Sequence, residues 1–282
     1  MGRTSGTLGP KRVITTTAAS GIYGLGEIHR ERIAGNFSTS IPVEYLVVAG
    51  GGGGGGGDSS SHGGGGGAGG YRSSVGGEAT GRGGVLEHPL PVFAGLSYVV
   101  TVGAGGTAGG SASNGGTGGD SVFSNITSKG GGQGGITGGT SGAGGSGGGR
   151  PWNGTRGLGT TNQGHDGSNN NSGGNGGGGG GAGSESVGGS GGSGIASSVT
   201  GSSVTRAVGG GSGADGAATA NTGNGGNSQN SPRTGVAGAA GYVAIRYPNT
   251  YNAAASTTGS PTITNVGGWR IYVWTSSGSI TF

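Results

Sequence analysis

Residues 43–72 read VEYLVVAGGGGGGGGDSSSHGGGGGAGGYR, and this stretch decides how the rest of the chain is understood. Its opening, VEYLVVA, has the apolar, β-branched and aromatic character of a strand. Eight consecutive glycines follow, and five more come after a short polar break. Glycine has no side chain to bury and loses more backbone entropy on folding than any other residue. A strand that runs directly into glycine therefore needs a physical explanation.

The composition of the whole chain favours order over disorder. Of 282 residues 85 are glycine, 28% are hydrophobic and only 9% are charged, with a formal net charge of +4. Disordered chains are usually poor in apolar groups but rich in charge, proline, lysine and glutamate. This chain is poor in apolar residues and also poor in charge and proline, a combination that favours a tightly packed structure that depends on glycine. A core this small also predicts association with other copies or partners.

Within the glycine tracts, glycine recurs at every third position, and positions spaced by three residues share one phase of the pattern. The phase is kept over four groups: Gly103, Gly106 and Gly109; Gly139, Gly142, Gly145 and Gly148; Gly174, Gly177, Gly180 and Gly183; Gly235, Gly238 and Gly241. Three residues per turn is the period of the polyproline II helix, which has no internal hydrogen bonds. Rods of this kind can bond to neighbouring rods when glycine lets the backbones approach. A flexible glycine-serine linker is the alternative interpretation, whereas collagen is excluded because glycine is not strictly every third residue and only 8 residues are proline.

Between the tracts lie apolar segments that predict a β framework. Strands are expected over residues 43–49, 98–102, 121–127 and 241–247, with a terminal hairpin formed by residues 269–275 and 279–282. The fold class is therefore mostly β and irregular: a β-strand framework with a glycine-rich polyproline II bundle, preceded by a short N-terminal helix. The expected domains are an N-terminal attachment segment (1–42), the glycine-rich domain (43–247) and a C-terminal β-hairpin segment (248–282).

The short helix is predicted over residues 20–35. Its apolar positions fall on roughly one helical face, Ser20 is a suitable N-cap and Gly35 a suitable stop. They are Ile22, Leu25, Ile28 and Ile33. This helix either packs on its own domain or docks into a partner.

The residues that usually carry chemistry do not form a recognisable site. The chain has no cysteine, its four histidines are scattered, and its acidic residues show no paired-carboxylate arrangement. The G-x-S-x-G matches at residues 144–148 and 188–192 lie inside glycine repeats with no helix after them, unlike a nucleophile elbow. We therefore expect no enzyme activity, no cofactor and no metal. The arginines are scattered and form no basic stripe, so we expect no nucleic-acid partner.

One stretch interrupts the repeats and is chemically richer. The length of residues 150–172 predicts a functional loop, whose candidate contact residues are Trp152, Asn153, Arg156, His165 and Asp166. Tryptophan and arginine are favoured binding anchors, and the amide-rich remainder suits sugar hydroxyls. The alternative is structural: Trp152 caps the end of the rod bundle.

Several segments resemble the glycine-rich domain proteins of tailed-phage tail fibres and adhesins. They are VEYLVVAGGGGGG, YVVTVGAGG, GGDSVF, ITSKGGGQGG and GAAGYVAIRY. SGIYGLGEIHRERIAG and the final WRIYVWTSSGSITF resemble segments that flank such domains in the structural proteins of marine phages, especially cyanophages. The resemblance implies a layered polyproline II sandwich whose tip loops bind the host surface.

The resemblance also implies a role and partners. It points to a non-enzymatic virion protein, a tail fibre or adhesin-like appendage, assembled in the host cytoplasm and located in the virion tail. Its expected partners are other copies of itself, as a homotrimer, tail or baseplate proteins bound through residues 1–42, and a host surface glycan or outer-membrane protein. The alternatives are a virion decoration, head-fibre or neck protein without receptor role, or a cell-made extracellular matrix or filament protein; an ice-binding surface is a more distant one.

Overall fold

The computed structural model describes residues 40–58, 61–111, 113–169, 176–214, 216–229 and 234–282. Within these ranges the chain is mostly β and irregular, and its helical content is one short 3-10 turn at Gly81–Gly83. The predicted fold class is confirmed in this respect. The helix predicted over residues 20–35 lies outside the described residues, and the predicted domain boundaries stay predictions.

The described strands form two main sheets and a small hairpin. In chain order they are β1 (Ile41–Val48), β2 (Tyr71–Ser73), β3 (Leu90–Val92), β4 (Ser97–Thr101), β5 (Ser121–Phe123), β6 (Ile126–Ser128), β7 (Ile195–Ser197), β8 (Val204–Arg206), β9 (Tyr242–Pro248), β10 (Ser256–Thr258), β11 (Thr262–Val266), β12 (Trp269–Trp274) and β13 (Gly278–Thr281). The first sheet has the order β11-β12-β9-β1-β2, with β3 also paired to β1. The second has the order β10-β13-β4-β5-β6, and β7 pairs with β8.

β1 is buried on both faces, which explains its almost continuous apolar sequence. Tyr45 and Val47 pack in an apolar core with side chains of both sheets, among them Trp274. Leu46 and Val48 face the other way, in a second core that includes alanines from the glycine tracts. Glycine tracts continue directly from strand ends: residues 50–57 follow β1, residues 103–109 follow β4, and residues 235–241 precede β9. The β framework therefore lies at one end of the glycine-rich part of the chain.

The predicted terminal hairpin is wrong in its partners. β12 and β13 lie in different sheets: β12 pairs with β9 and β11, whereas β13 pairs with β4 and β10. The hairpin of this region joins β11 to β12 through Gly267 and Gly268, which have φ of 57° and 84°. Two positive-φ residues between paired strands are the signature of a type I′ turn.

The eight glycines after β1 form the first rod, residues 50–57, and its hydrogen bonds repeat every three residues. Gly50, Gly53 and Gly56 donate to carbonyls of residues 119, 116 and 113. The next phase, residues 51 and 54, donates to residues 239 and 236, and the third, residues 52 and 55, donates to residues 67 and 64. In each of the three series the acceptor number falls by three as the donor number rises by three, so each neighbour runs antiparallel to the first rod. The first rod bonds to each of these neighbours once per turn. This is the bonding expected of a polyproline II rod in a bundle.

The carbonyl groups of the first rod face three further neighbours. Residues 131 and 134 donate to the carbonyls of residues 50 and 53, residues 106 and 109 donate to those of 51 and 54, and residue 226 donates to that of 52. The first rod is thus surrounded by six segments of chain. None of its three phases faces solvent, and residues 51–57 are all buried.

This central position explains the run of glycines. A Cβ atom added at Gly51, Gly52 or Gly53 would lie 2.0, 2.2 or 1.9 Å from a backbone carbonyl oxygen of a neighbouring rod. These three consecutive residues represent the three phases, so a side chain is excluded from every one. The strand runs into glycine because the chain enters the middle of the bundle.

An outer rod keeps glycine at every position of its inward-facing phase and admits side chains at other positions. Gly103, Gly106 and Gly109 are buried, whereas Ala104 and Thr107 between them are exposed. For this outer rod the period of three in the sequence correctly predicted which glycines face the bundle. A second fully buried tract, residues 63–70, returns the chain to β2, which pairs with β1. The polar break between these two tracts is a reversal, closed by hydrogen bonds between Asp58 and Ser61 in both directions.

Candidate functional site

The end of the bundle remote from β1, which we call the distal end, consists of turns between rods. The rods reverse there near residues 58, 111, 138, 153 and 229. These turns carry the aspartate, serine, asparagine and tryptophan side chains that the rods exclude. The distal end is therefore the part of the bundle where the sequence can vary without disturbing rod packing.

Trp152 and Asn153 lie at the distal end, in a tight turn closed by the Gly154 N–H donating to the Pro151 carbonyl at 3.1 Å. Asn153 has a φ of 57°, a conformation that asparagine tolerates better than most residues. Its side chain is exposed, and Trp152 is half-buried.

The backbone of Trp152 joins three turns. Its N–H donates to the His62 carbonyl at 3.2 Å, and its carbonyl accepts from the Gly138 N–H at 2.7 Å. The turn containing Trp152 is thereby tied to the reversals near residues 62 and 138. Trp152 has the position expected for a cap and, being partly exposed, also the position expected for a contact residue.

Arg156, His165 and Asp166 lie along the side of the bundle, apart from that turn. Asp166 forms ion pairs with Arg82 and Arg156, each at 3.2 Å, and accepts the Gly159 N–H at 2.9 Å. Burial opposes its ionisation, but the Gly159 N–H and the two guanidinium groups outweigh burial and hold the pKa of Asp166 below its usual range. Asp166 therefore fastens the turn around Arg82 to the bundle.

His165 belongs to a rod. Its backbone N–H donates to the Gly181 carbonyl, and its backbone carbonyl accepts from the Gly147 N–H, both at 3.0 Å. Burial, and then the positive charge of Arg82, lower the pKa of the imidazole. Residues 150–172 are thus not one loop as the sequence suggested: in its described part, Trp152 and Asn153 form a tip, whereas His165 and Asp166 are built into the bundle. The glycines at 154, 157, 159, 164 and 167 were the signal for this.

A polar cavity, which no sequence pattern indicated, lies where the framework meets the bundle. Its volume is about 340 Å³, and it is lined by Arg72, Thr80, Val85, Glu87, Thr161, Asn162 and Gln163. The Arg72 guanidinium binds Glu87 in a bidentate manner, with N–O distances of 2.8 and 2.6 Å. The Tyr45 hydroxyl also donates to Glu87 at 2.6 Å. Burial and this hydrogen bond raise the pKa of Tyr45.

The cavity has the chemistry of a structural joint. Both oxygens of the Glu87 carboxylate are occupied by Arg72 and Tyr45, so this carboxylate is committed to holding β1, β2 and the following turn together. Within the described residues no group of three or more histidine, cysteine, aspartate or glutamate side chains could hold a metal ion. No helix in the same part of the chain is long and apolar enough to cross a membrane.

Comparison with known proteins gives the family. Neither the curated proteins nor the solved structures include a match to this chain. A family model described as a glycine-rich domain matches residues 32–248, which include the first rod, the whole of strands β1 to β9 and the distal turns. Because this match covers most of the sequence, the protein belongs to the family of glycine-rich domain proteins.

Proposed function

We propose that this protein is a non-enzymatic structural protein of a phage virion, a tail fibre or adhesin-like appendage that takes part in attachment to the host. The observation that carries this proposal is the difference between the two ends of the bundle. The β framework lies at one end, and polar turns lie at the other. Such an arrangement suits a spacer that is held at one end and makes contact at the other.

The dense hydrogen bonding of the rods supports the same role. A rod in the middle of the bundle bonds to six neighbours, so the bundle resists bending although its residues are individually flexible. In this proposal residues 1–42 attach the protein to tail or baseplate proteins, and the chain forms a homotrimer, as the resemblance implies. The turn of Trp152 and Asn153 then faces a glycan or an outer-membrane protein of the host. The protein would be assembled in the host cytoplasm and reside in the virion tail.

Competition for adsorption tests the attachment role. Purified protein is added to host cells before the phage, and the adsorption rate is measured. We expect wild-type protein to slow adsorption and the Trp152→Ala protein to do so less well. Val99→Ser is the matched control, because Val99 is 60% exposed on β4, in the framework rather than at the distal end.

The outcomes separate the alternatives. Wild-type protein that leaves adsorption unchanged would contradict the receptor role and favour a decoration protein. Equal competition by the wild-type and Trp152→Ala proteins would place the contact elsewhere than at Trp152. Antibody labelling of intact particles locates the protein independently, and particles without label would contradict the virion assignment itself.

A further inference from the structure

The edge strand β11 is unusually open. It pairs with β12 on one side, and all five of its residues are exposed. Ile263 is 51% exposed and Val266 47%, so apolar side chains on both faces of the strand meet solvent. In the described part of the chain β11 is therefore the open edge of the first sheet, and the turn at Gly201 lies close to the Val266 side chain at the end of this strand.

Natural proteins usually protect such an edge with charged residues, proline, a bulge or a short strand. The sequence of β11, Thr-Ile-Thr-Asn-Val, has no charge and no proline, and four of its five residues are β-branched. At five residues it is also longer than the three-residue edge strands β2, β6 and β10 of the described sheets. These are the properties of a strand that accepts another strand.

The hairpin geometry identifies the free backbone groups. In a hairpin with a two-residue turn, the residues that flank the turn, here Val266 and Trp269, exchange hydrogen bonds. Bonding then alternates along the strand, so Thr264 also bonds to β12. Ile263 and Asn265 consequently direct their N–H and C=O groups away from the sheet, and each copy of the chain offers two donors and two acceptors along this edge.

We infer that β11 is the contact through which two copies of this chain associate, by antiparallel pairing of β11 with β11 about a two-fold axis at Thr264. In this register Ile263 of one copy lies opposite Asn265 of the other. Both residues have outward backbone groups, so all four donors of the two edges meet all four acceptors. A shift by one residue would place outward groups opposite inward ones and lose these bonds.

A second copy fits this edge better than a charged partner does. The strand is uncharged, so two copies meet without like-charge repulsion. The two-fold arrangement is also self-complementary, as an isologous contact requires. It goes beyond the proposed attachment role and does not depend on it. It predicts an even number of copies and so conflicts with the homotrimer of the proposed function, which rests on the family resemblance alone; the measured mass of the full chain decides between the two.

A single cysteine tests the register directly, because the chain has no cysteine of its own. In the predicted pair Thr264 faces Thr264 at a non-hydrogen-bonded position, where Cα atoms are about 4.5 Å apart. This distance is within the range that disulfides span. Under mild oxidation we expect the Thr264→Cys chain to form a covalent dimer rapidly. The matched control is Thr262→Cys, whose thiols would be four residues apart along the paired strands and would crosslink at least about tenfold more slowly.

Light scattering on the full chain gives the second test. Asn265→Pro removes one outward N–H, and proline is tolerated at a sheet edge when its nitrogen faces solvent. Ile263→Lys places a charge on the edge strand. We expect both variants to raise the dimer dissociation constant about tenfold or more while their circular dichroism remains that of the wild type. Val99→Lys, a charge on an exposed framework residue away from β11, keeps the dimer.

The opposite results are equally clear. A wild-type chain that is monomeric at micromolar concentration overturns the inference, as does a trimer whose mass is unchanged by Asn265→Pro and Ile263→Lys. A monomeric wild type that is destabilised by these substitutions would show that another part of the same chain covers β11. Equal crosslinking of Thr264→Cys and Thr262→Cys would contradict the proposed register.

Discussion

At the scale of single residues, the position of a glycine decides its importance. In the first rod a Cβ atom at Gly53 would lie 1.9 Å from the Thr107 carbonyl oxygen, and that oxygen cannot move without breaking the rod packing. At Gly110, on an outer rod, the nearest atom to an added Cβ is the Ser113 hydroxyl oxygen, at 3.5 Å. The same residue type is therefore indispensable at one site and replaceable at the other.

We predict that Gly53→Ala lowers the free energy of unfolding by at least about 3 kcal/mol, because overpacking here acts on backbone rather than on flexible side chains. Gly110→Ala should change it by less than about 1 kcal/mol, since it fills open space and also restricts the unfolded chain. Chemical denaturation of both variants beside the wild type measures the difference. Equal losses would contradict the six-neighbour position of the first rod.

Asp166 gives a prediction about pH. Its pKa is lower in the folded protein than its ordinary value of 3.8, so the stability it contributes is present above that value and is lost as the pH falls through the folded pKa. At neutral pH Asp166→Asn should cost about 1–3 kcal/mol through weakened bonds to two arginines. The difference in the free energy of unfolding between the wild type and Asp166→Asn should become smaller in acid, because the wild type loses this contribution when Asp166 is protonated.

The matched control for Asp166 is Asp120→Asn. Asp120 pairs with Lys129 at 3.3 Å, and both side chains are far more exposed than that of Asp166. Exposed ion pairs contribute little, so this variant should lose no more than about 1 kcal/mol at neutral pH. Denaturation curves at several pH values check both variants. An Asp166→Asn gap that is the same in acid as at neutral pH would show that the ion pairs are not its cause.

At the scale of elements, an inserted residue tests the period of three. A ninth glycine in the first rod has no defined position, because the tract reads the same wherever it is added. The extra residue can enter the turn near Asp58 at a cost of a few tenths of a kcal/mol. A glycine inserted between Gly106 and Thr107 instead moves Ala108 into the inward phase of Gly109, where a Cβ atom would lie 2.6 Å from the Ser113 carbonyl oxygen.

We therefore expect the two insertions to differ although each adds the same residue. The insertion after Gly106 should lower the melting temperature by several degrees or more, and the ninth glycine in the first rod should change it little. Thermal melts followed by circular dichroism compare them. If both are tolerated equally, the outer rod has no fixed phase and the period-three interpretation of that rod is wrong.

The elements also show what the sequence could and could not reveal. Outer rods have exposed positions, so their sequences display the period of three, as Gly103, Gly106 and Gly109 do. The first rod has no exposed phase, and its uniform sequence conceals the very pattern that it forms. The exchange of β12 and β13 between sheets was equally hidden, because an alternating apolar strand fits either sheet and the choice depends on distant partners such as Val243 and Tyr98.

The candidate site could likewise be predicted only in part from the sequence. Trp152 stood out because a large aromatic residue interrupted a glycine-rich region, and the structure places it at the distal end. Asp166 stood out for its charge, yet its partner Arg82 lies 84 residues away in the sequence. Spacing alone could not distinguish a contact residue from an ion pair that holds the bundle together.

At the scale of the whole molecule, the central question is whether glycine tracts form the most stable part of the protein or the least stable. An isolated polyproline II strand has every N–H exposed to water and little resistance to local opening. In this bundle the Gly53 N–H donates to the Gly116 carbonyl at 2.8 Å, inside a ring of six segments contributed by distant parts of the chain. Opening that one bond requires neighbouring rods to separate, so the strength of its protection depends on the stability of the whole fold.

Hydrogen exchange of the glycine amides distinguishes the two cases. We predict that amides of the first rod exchange only through global unfolding, on the order of 10⁴-fold or more slowly than in a free peptide. The amide of Gly77, in an exposed turn, should exchange at nearly the free rate. Gly53→Ala should then accelerate exchange throughout the first rod and in β1 together, because rod and framework share one cooperative unit. Fast exchange in the first rod of the wild type, with protected β1 amides, would mean that the glycine tracts behave as linkers attached to an independent β framework.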